Sequence, residues 1–367
     1  MKHIVLVANS FISLYNFRYE LLHALLERYK VTLLTPMEES DYSLFAEYRE
    51  KGCEVVETPF RRRGKNPFSD LALRKRYIRL LAEINPDLVM AYTIKPNIYA
   101  GMACHKLGIP FLANITGLGT AFEKEGILKS ISVALYRRSL KGTNVVFFQN
   151  SQNREIFHSC GLRGKREVML PGSGVNLERF PFTAFPEGED AYLFMARIMK
   201  AKGADEFLYA ASVLKEKYQA LSFHVVGFCE EAYEERLKEL EKKGIIRYHG
   251  FQQDTRPFLE NATCIVQPSY HEGMSNVCLE AAAMGRPLLV SDIPGCRETV
   301  NDGETGFYVP VKEKEALLQR MEQFHFLSLE QKKEMGRKGR EKMEREFDRR
   351  LVIQKYLEEI KRILEDD

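Results

Sequence analysis

The sequence lacks the residue patterns that hold structural metal ions and disulfide frameworks. Its seven cysteines include no C-x-x-C pair, their number is odd, and most lie in apolar surroundings. The eight histidines show no H-x-x-x-H spacing. Reduced thiols explain this distribution better than disulfides or a zinc site. We therefore expect a cytoplasmic protein with no disulfide and no bound metal.

Long apolar runs are also absent. No stretch approaches the roughly 20 residues that span a bilayer, and the apolar run in the N-terminal "MKHIVLVANSF" is short for a secretory signal. We interpret it as a buried strand. The net charge of +3 on 367 residues gives no reason to expect nucleic acid as a partner. This length suits two domains.

Two common nucleotide-binding loops are missing. The first strand continues into "VLVANSFISLYNFR", which has no glycine, so the G-x-G-x-x-G loop of nicotinamide dehydrogenases is absent. The chain has no G-x-x-x-x-G-K-[ST] loop, and no D-x-D between strands marks a metal-bound diphosphate. The phosphates of a bound nucleotide would therefore need a different binding loop. We also expect no requirement for a divalent metal.

Short apolar runs instead alternate with helical patterns, which is typical of βαβ units and parallel sheets. The pattern restarts after the acidic, turn-rich stretch 182–190, a plausible linker. We predict an α/β protein with two Rossmann-like doubly wound domains, 1–180 and 181–345, that face a cleft. A helix over 346–367 would return to the first domain. The predicted strands are 3–8, 30–35, 53–59, 86–92, 110–115, 144–150, 191–197, 221–227, 245–250, 264–269, 287–292 and 306–310.

The second predicted domain begins with a strand that ends in "ARIMKAKG". Arg197 and Lys202 lie on the loop after this strand, and ligands of open α/β sheets bind beyond the carboxyl ends of strands. Two cations there would neutralise a diphosphate and stabilise it as a leaving group. The alternative is an ordinary solvated basic loop.

A second strand-end motif is "EGMSNVCLEAAAMG", in which Glu272 and Glu280 stand eight positions apart. Ser275 or Asn276 can cap the helix that follows, and the amide groups at its start suit a diphosphate. Glu280 can accept two hydrogen bonds from a ribose diol. Its alternatives are a backbone cap or an ion pair with an arginine.

These motifs together carry a family resemblance. "EGMSNVCLEAAAMGRPLLVSDIPGCRE" with "ARIMKAKG" resembles the retaining GT-B glycosyltransferases. In the first half, "YNFR", "NPF", "YTIKPNIYAG" and "NITGLGTAF" resemble bacterial surface-polysaccharide enzymes that extend a sugar on undecaprenyl diphosphate. The resemblance implies a retaining, metal-independent transferase with a UDP-sugar as donor and no cofactor. The expected sugar is an N-acetylhexosamine, followed by a hexose or a hexuronic acid.

The resemblance also implies residue roles. Arg197 and Lys202 would bind the diphosphate, Glu272 would contact the donor sugar without acting as a nucleophile, and Glu280 would bind the ribose. Ala8 to Phe11 stand where many members have a glycine pair, so this part of the donor contact differs here. The further nucleotide-sugar contacts are Gly273, Met274, Ser275, Asn276, Gly227, Gly250 and Phe251. The acceptor contacts are Lys95, Thr116, Gly117, Asn16 and Arg18, with Asn114 and Gly119 as additional candidates.

Lys95 follows the fourth predicted strand in "YTIKPN" and could bind an acceptor diphosphate. The alternative is that it is solvated or pairs with a neighbouring acid. In "NITGLGTAF", Gly117 and Gly119 would let a backbone approach a ligand closely.

Two basic stretches could contact an anionic membrane, on the inner face of the cell membrane. One is "FRRRGK" at 60–65, and the other is the helical pattern 123–142. The second has an apolar stripe of Ile127, Leu128, Ile131 and Leu135 beside several cations, which suits a membrane interface and equally suits core packing. Two rival functions on the same fold stay open at this point: a UDP-sugar epimerase and a non-catalytic nucleotide-sugar-binding protein.

Overall fold

The computed structural model describes residues 1–58, 67–118, 122 and 126–365. The chain divides into two compact units. Unit 1 comprises Met1–Ser173 and Val352–Asp367, and unit 2 comprises Gly174–Leu351. The segment 174–180 therefore belongs to unit 2, where the Val175 amide donates to the Phe347 carbonyl at 2.8 Å. Among the described residues, no helix has the length and apolar character needed to cross a membrane.

Unit 1 is built on a seven-stranded parallel sheet in the order β3-β2-β1-β4-β5-β6-β7. Its strands are β1 (His3–Val7), β2 (Lys30–Thr35), β3 (Glu54–Glu57), β4 (Leu88–Tyr92), β5 (Phe111–Ile115), β6 (Thr143–Phe148) and β7 (Glu167–Met169). Its first helices are α1 (Phe11–Leu26), α2 (Asp41–Glu50), α3 (Pro67–Ile84), α4 (Ile94–Leu107), α5 (Ile127–Leu140) and α6 (Ser151–Ser159).

Unit 2 is built on a six-stranded parallel sheet in the order β10-β9-β8-β11-β12-β13. Its strands are β8 (Ala191–Met195), β9 (Ser222–Val226), β10 (Arg247–Tyr248), β11 (Cys264–Gln267), β12 (Leu288–Ser291) and β13 (Gly306–Val309). The remaining helices are α7 (Ala204–Lys217), α8 (Glu234–Lys242), α9 (Arg256–Glu260), α10 (Asn276–Ala283), α11 (Lys314–His325), α12 (Leu329–Lys342) and α13 (Arg349–Glu365).

The predicted pair of parallel-sheet α/β domains is confirmed, and each predicted strand run contains a strand. The sequence pattern also predicts a helix over 296–301, and this prediction is wrong, because the segment forms only a 3-10 turn, Arg297–Thr299. Near the C-terminus, a π-helical turn, Met343–Phe347, lies between α12 and α13.

Both sheets are buried on both faces, which explains their continuous apolar strands. In β1, Ile4 and Leu6 pack into one cluster of unit 1 while Val5 and Val7 pack into the other. Helix α13 completes the first of these clusters with Val352, Tyr356, Ile360 and Ile363. In β8 the alternation repeats in unit 2, where Tyr192 and Phe194 face one cluster and Leu193 and Met195 face the other.

The start of the predicted linker is fixed to unit 2 by a buried arginine. Arg286 is fully buried, and its guanidinium donates to the Thr183 hydroxyl at 2.6 Å and the Ala184 carbonyl at 3.0 Å. It also donates to the carbonyl oxygens of Leu259, Glu260 and Met284. Burial lowers the pKa of Arg286 to about 10, so the side chain stays charged at neutral pH. Its guanidinium donates hydrogen bonds to several carbonyl groups at once.

Candidate active site

The loops after β8 and β11 pack closely in unit 2. After β8 the chain makes a 3-10 turn, Lys200–Lys202, which ends at Gly203 in the left-handed region (φ 77°). A Cβ on Gly203 would overlap the carbonyl oxygen of Pro268, so this approach requires glycine. The Tyr270 amide donates to the Ala201 carbonyl at 2.9 Å, which joins the two loops directly.

This packing brings Lys202 to Glu272. The Lys202 Nζ donates to Oε1 of Glu272 at 2.6 Å, and both side chains are largely shielded from solvent. The Ser269 hydroxyl donates to the same oxygen at 2.9 Å, and Gln267 Nε2 donates to the Ser269 oxygen at 3.1 Å. Gln267 and Ser269 are buried. The structure therefore fixes Glu272 by a row of side chains from the end of β11.

Arg197 is also paired, with a different carboxylate. Its guanidinium forms an ion pair with Glu230, which lies in the segment between β9 and α8. About half of the Arg197 side chain is exposed. Both predicted phosphate-binding cations thus have a carboxylate partner, and a bound diphosphate would have to replace these carboxylates.

The loop before α10 has the predicted cap. Ser275 is the N-cap, and its hydroxyl accepts from the Cys278 amide at 3.4 Å, so this alternative is confirmed. The Ser275 amide donates to the Gly295 carbonyl at 2.8 Å, and a Cβ on Gly295 would lie 2.7 Å from the Gly273 oxygen. The loop after β12 therefore supports the backbone at Gly273 and Met274. The Oδ1 atom of Asn276 is buried without a hydrogen-bond partner among the described residues.

Glu280 lies on α10 and is partly exposed. Burial raises its pKa to about 7, although the positive charges of Arg349 and Arg179 oppose this shift. Within the described ranges, the Glu280 carboxylate forms no ion pair and no hydrogen bond, so neither predicted alternative for this residue is seen there. Its carboxylate keeps its hydrogen-bonding capacity for a ligand.

The ends of β9 and β10 place two exposed aromatic rings together. Gly227 (φ 141°) has no room for a Cβ against the Ala196 oxygen, and its amide donates to the Gly250 carbonyl at 2.8 Å. Phe251 is 70% exposed and Phe228 is 45% exposed, with ring centroids 6.4 Å apart. Such exposed rings can stack against a base.

In unit 1, Lys95 follows β4 and pairs with an acid from α3. Its Nζ lies 2.8 Å from Oδ1 of Asp70, and the Tyr99 hydroxyl donates to Oδ2 of Asp70 at 3.0 Å. This pairing is the alternative that the sequence left open. Thr116 and Gly117 are partly exposed directly after β5, and Gly119 lies outside the described residues.

The two α1 candidates lie in different surroundings. Asn16 is exposed, whereas Arg18 is buried at a kink in the helix. The Arg18 guanidinium lies 4.9 Å from the ring centroid of Tyr92 and 6.0 Å from that of Tyr356. The Asn114 side chain is engaged too, because it donates to the Ala91 carbonyl and accepts from Tyr356 at 2.5 Å. The acceptor roles of these residues stay predictions.

Several residues of this site were not predicted from the sequence. Ser269 and Gln267 hold Glu272, Glu230 holds Arg197, and Phe228 joins Phe251. Ser269 could have been identified, since it directly follows a predicted strand beside the glutamate motif. Glu230 has no such signal, because its partner lies 33 positions away.

Two family models match the chain. The model "Glycosyl transferases group 1" matches residues 176–342, and "Glycosyl transferase 4-like" matches residues 3–150. Both models describe glycosyltransferases, and together they match most of this chain. The N,N'-diacetylbacillosaminyl-diphospho-undecaprenol alpha-1,3-N-acetylgalactosaminyltransferase of Campylobacter jejuni is 27% identical, over 96% of this chain and 97% of its own.

Solved structures agree on the fold of this glycosyltransferase. A glycosyltransferase from Rickettsia africae has a TM-score of 0.80 at 20% identity and covers 100% of this chain and 99% of its own. Anabaena HepE in complex with UDP and glucose has a TM-score of 0.80 at 15% identity, over 98% and 99% of the two chains. The predicted GT-B fold and the transferase class are confirmed.

Proposed function

We propose that this glycosyltransferase moves a sugar from a UDP-sugar to a saccharide linked to a polyprenyl diphosphate, with retention of anomeric configuration and without a divalent metal. Our first candidate for the transferred sugar is an N-acetylhexosamine, and a hexose or a hexuronic acid is the second. The observation that carries the proposal is the packed pair of strand-end loops that holds Lys202 against Glu272, with Arg197 on the first of these loops. The setting is cytoplasmic, at the surface of a membrane.

The donor binds in unit 2 by displacing carboxylates from the two cations. The diphosphate takes the places of the Glu230 and Glu272 carboxylates at Arg197 and Lys202, and charge-assisted hydrogen bonds replace the ion pairs. Backbone amides at the start of α10 add donors to the phosphate and the sugar. The Glu280 carboxylate accepts from the ribose diol, and Phe251 borders the base.

Transfer then depends on positioning and charge. The bond from C1 to the diphosphate oxygen breaks while the acceptor oxygen bonds to C1 on the same face. The departing diphosphate takes the acceptor proton, and Arg197 and Lys202 stabilise its charge. Glu272 is no nucleophile in this scheme, because the acceptor oxygen bonds to C1 directly, and the Ser269 hydroxyl continues to donate to its Oε1. Once released from Lys202, it binds donor hydroxyl groups.

The choice of donor and acceptor rests on the relatives. The Campylobacter relative is named as an N-acetylgalactosaminyltransferase that acts on an undecaprenol-diphosphate sugar, and its alignment spans nearly both chains. HepE has been solved with UDP and with UDP-glucose. These names support a UDP-N-acetylhexosamine donor and a lipid-diphosphate acceptor for this chain.

The test is a UDP-release screen. UDP-GlcNAc, UDP-GalNAc, UDP-Gal, UDP-Glc, UDP-GlcA and UDP-GalA are each offered with a monosaccharide on a lipid diphosphate. We expect acceptor-dependent release from one N-acetylhexosamine donor, unchanged by EDTA, and an NMR coupling of the product's anomeric proton that matches the donor's. No release from any donor, an inverted linkage, or conversion into a second UDP-sugar would overturn the proposal.

A further inference from the structure

Helix α5 of unit 1 exposes an apolar face that continues into a basic one. Ile127 is 81% exposed and Ile131 is 51% exposed, whereas Ser132, Tyr136 and Ser139 on the other side are buried. Helical geometry places Ile127, Ile131 and Arg138 on one face. Core packing, one of the two predicted meanings of this stripe, is therefore wrong for the two isoleucines. It holds for Leu135, which packs against the core of unit 1.

The basic end of α5 borders a pocket of about 340 Å³. Residues from α3, from α4 and from the C-terminal end of α5 line it, and no acidic residue does. Its lining residues are Arg74, Met102, His105, Lys106, Arg138 and Lys141. Within the part of the chain that the structure describes, none of the five basic side chains forms an ion pair, and the buried Arg74 Nε atom has no hydrogen-bond partner.

Converging cations without carboxylates repel one another, so an anion in this pocket would stabilise the surface. Elsewhere in unit 1, by contrast, the largely buried Lys95 forms an ion pair with Asp70. The pocket therefore differs from the usual neutralised surface of this unit. Its size suits a phosphate headgroup together with ordered water, and two of its lining residues, Arg138 and Lys141, come from the end of the helix that carries the exposed isoleucines.

We propose that this α5 surface (Ile127, Leu128, Ile131, Arg74, His105, Lys106, Arg138 and Lys141) docks on an anionic phospholipid bilayer. The apolar side chains enter the boundary between headgroups and acyl chains, and the pocket binds a lipid phosphate. Charge complementarity favours this partner over an apolar protein groove, because half of the surface is cationic. The inference deepens the proposed function by naming the membrane contact, yet its test does not depend on turnover.

The experiment is vesicle co-sedimentation of the full chain. We compare phosphatidylcholine vesicles with vesicles in which phosphatidylglycerol replaces about one third of the lipid. We expect binding to the anionic vesicles alone, weakened by salt. Arg138→Gln with Lys141→Gln should lower the partition coefficient roughly thirtyfold, at about fivefold per cation. Ile127→Ser with Ile131→Ser should lower it at least about tenfold. The four side chains are exposed, so these changes remove no core packing.

Matched controls lie in unit 2. Lys238→Gln with Lys243→Gln removes two exposed cations, one from α8 and one from its C-cap, and Phe326→Ser removes a ring that is 68% exposed. Both controls should bind vesicles as the unchanged chain does. Equal binding to neutral vesicles, or unchanged binding by the α5 variants, would overturn the proposal. So would self-association of the chain that only the α5 variants abolish, because the surface would then bind a second copy. UDP release with a short-chain acceptor should be unchanged in the α5 variants, which separates this proposal from the proposed function.

Discussion

The two units hold their predicted ligand residues in different ways. In unit 2 the candidate residues lie on strand-end loops that lock together through backbone contacts, such as Gly203 against Pro268 and Gly295 against Gly273. In unit 1, Lys95 is tied to a neighbouring helix by Asp70, and Arg18 lies among aromatic rings. The predicted nucleotide contacts of unit 2 are therefore held by backbone packing, whereas the predicted acceptor contacts of unit 1 depend on side-chain pairing.

The largest expected effect tests the loop frame of unit 2. On the proposed role of Lys202 at the departing diphosphate, Lys202→Ala should lower kcat about hundredfold. Lys200→Ala, two residues earlier on the same turn, changes an exposed lysine and should leave kcat within about twofold. Steady-state UDP release measures both, with circular dichroism to confirm folding. Equal rates for the two variants would remove Lys202 from the diphosphate site.

Glu280→Gln should lower donor affinity about tenfold, because a charged hydrogen bond is worth roughly 1.5–3 kcal/mol. The same change should stabilise the protein at high pH. Because the folded-state pKa of this carboxyl is raised, its ionisation destabilises the fold progressively as the pH rises from the ordinary pKa of 4.5 to about 7, and the full cost persists above pH 7.

The gain in unfolding free energy at pH 8 should be about 2 kcal/mol after discounting for partial exposure, with little gain near pH 4.5. Calorimetric UDP titration and thermal melting at the two pH values measure these effects. Normal UDP binding by the variant would argue that Glu280 does not contact the nucleotide. An equal change in stability at the two pH values would argue that ionisation of Glu280 does not destabilise the fold.

Lys95→Ala tests unit 1. If Lys95 meets the acceptor diphosphate, KM for the lipid-linked acceptor should rise about fivefold to tenfold, as one charge-assisted contact is lost. UDP release without acceptor should not change. Asp70→Asn is the matched variant, since it keeps the lysine and removes its ion-pair partner. A loss of thermal stability in both variants with normal acceptor KM would make this pair structural and sharpen the contrast between the units.

The smallest expected effect concerns Glu230. In the proposed donor site its ion pair with Arg197 competes with the diphosphate, and about half of the arginine side chain is exposed. Glu230→Gln should therefore raise UDP affinity only about threefold, in keeping with the small energies of solvent-exposed pairs. Glu231→Gln, one residue along, is the control, and calorimetry at low salt measures both. Weaker UDP binding by Glu230→Gln would show that the glutamate positions Arg197 instead of competing for it.

Local patterns predicted the fold well. Apolar runs located twelve of the thirteen strands in the described part of the chain, all but the short β7, and the serine before α10 predicted its cap. What escaped prediction depends on distant residues. The Arg197–Glu230 and Lys95–Asp70 pairs join positions 33 and 25 apart, and no spacing rule links them. Whether a helical stripe is buried also depends on the neighbouring helices, which is why α5 could not be assigned from its sequence.

The raised pKa of Glu280 links nucleotide binding to protons. Near pH 7 a large share of the unliganded molecules carries a protonated Glu280. Hydrogen bonds donated by ribose hydroxyls favour the ionised carboxylate and lower its pKa. On the proposed ribose contact, donor binding therefore expels part of a proton, and the apparent enthalpy of UDP binding should vary with the ionisation enthalpy of the buffer. Product UDP would likewise leave more readily as the surroundings become more acidic.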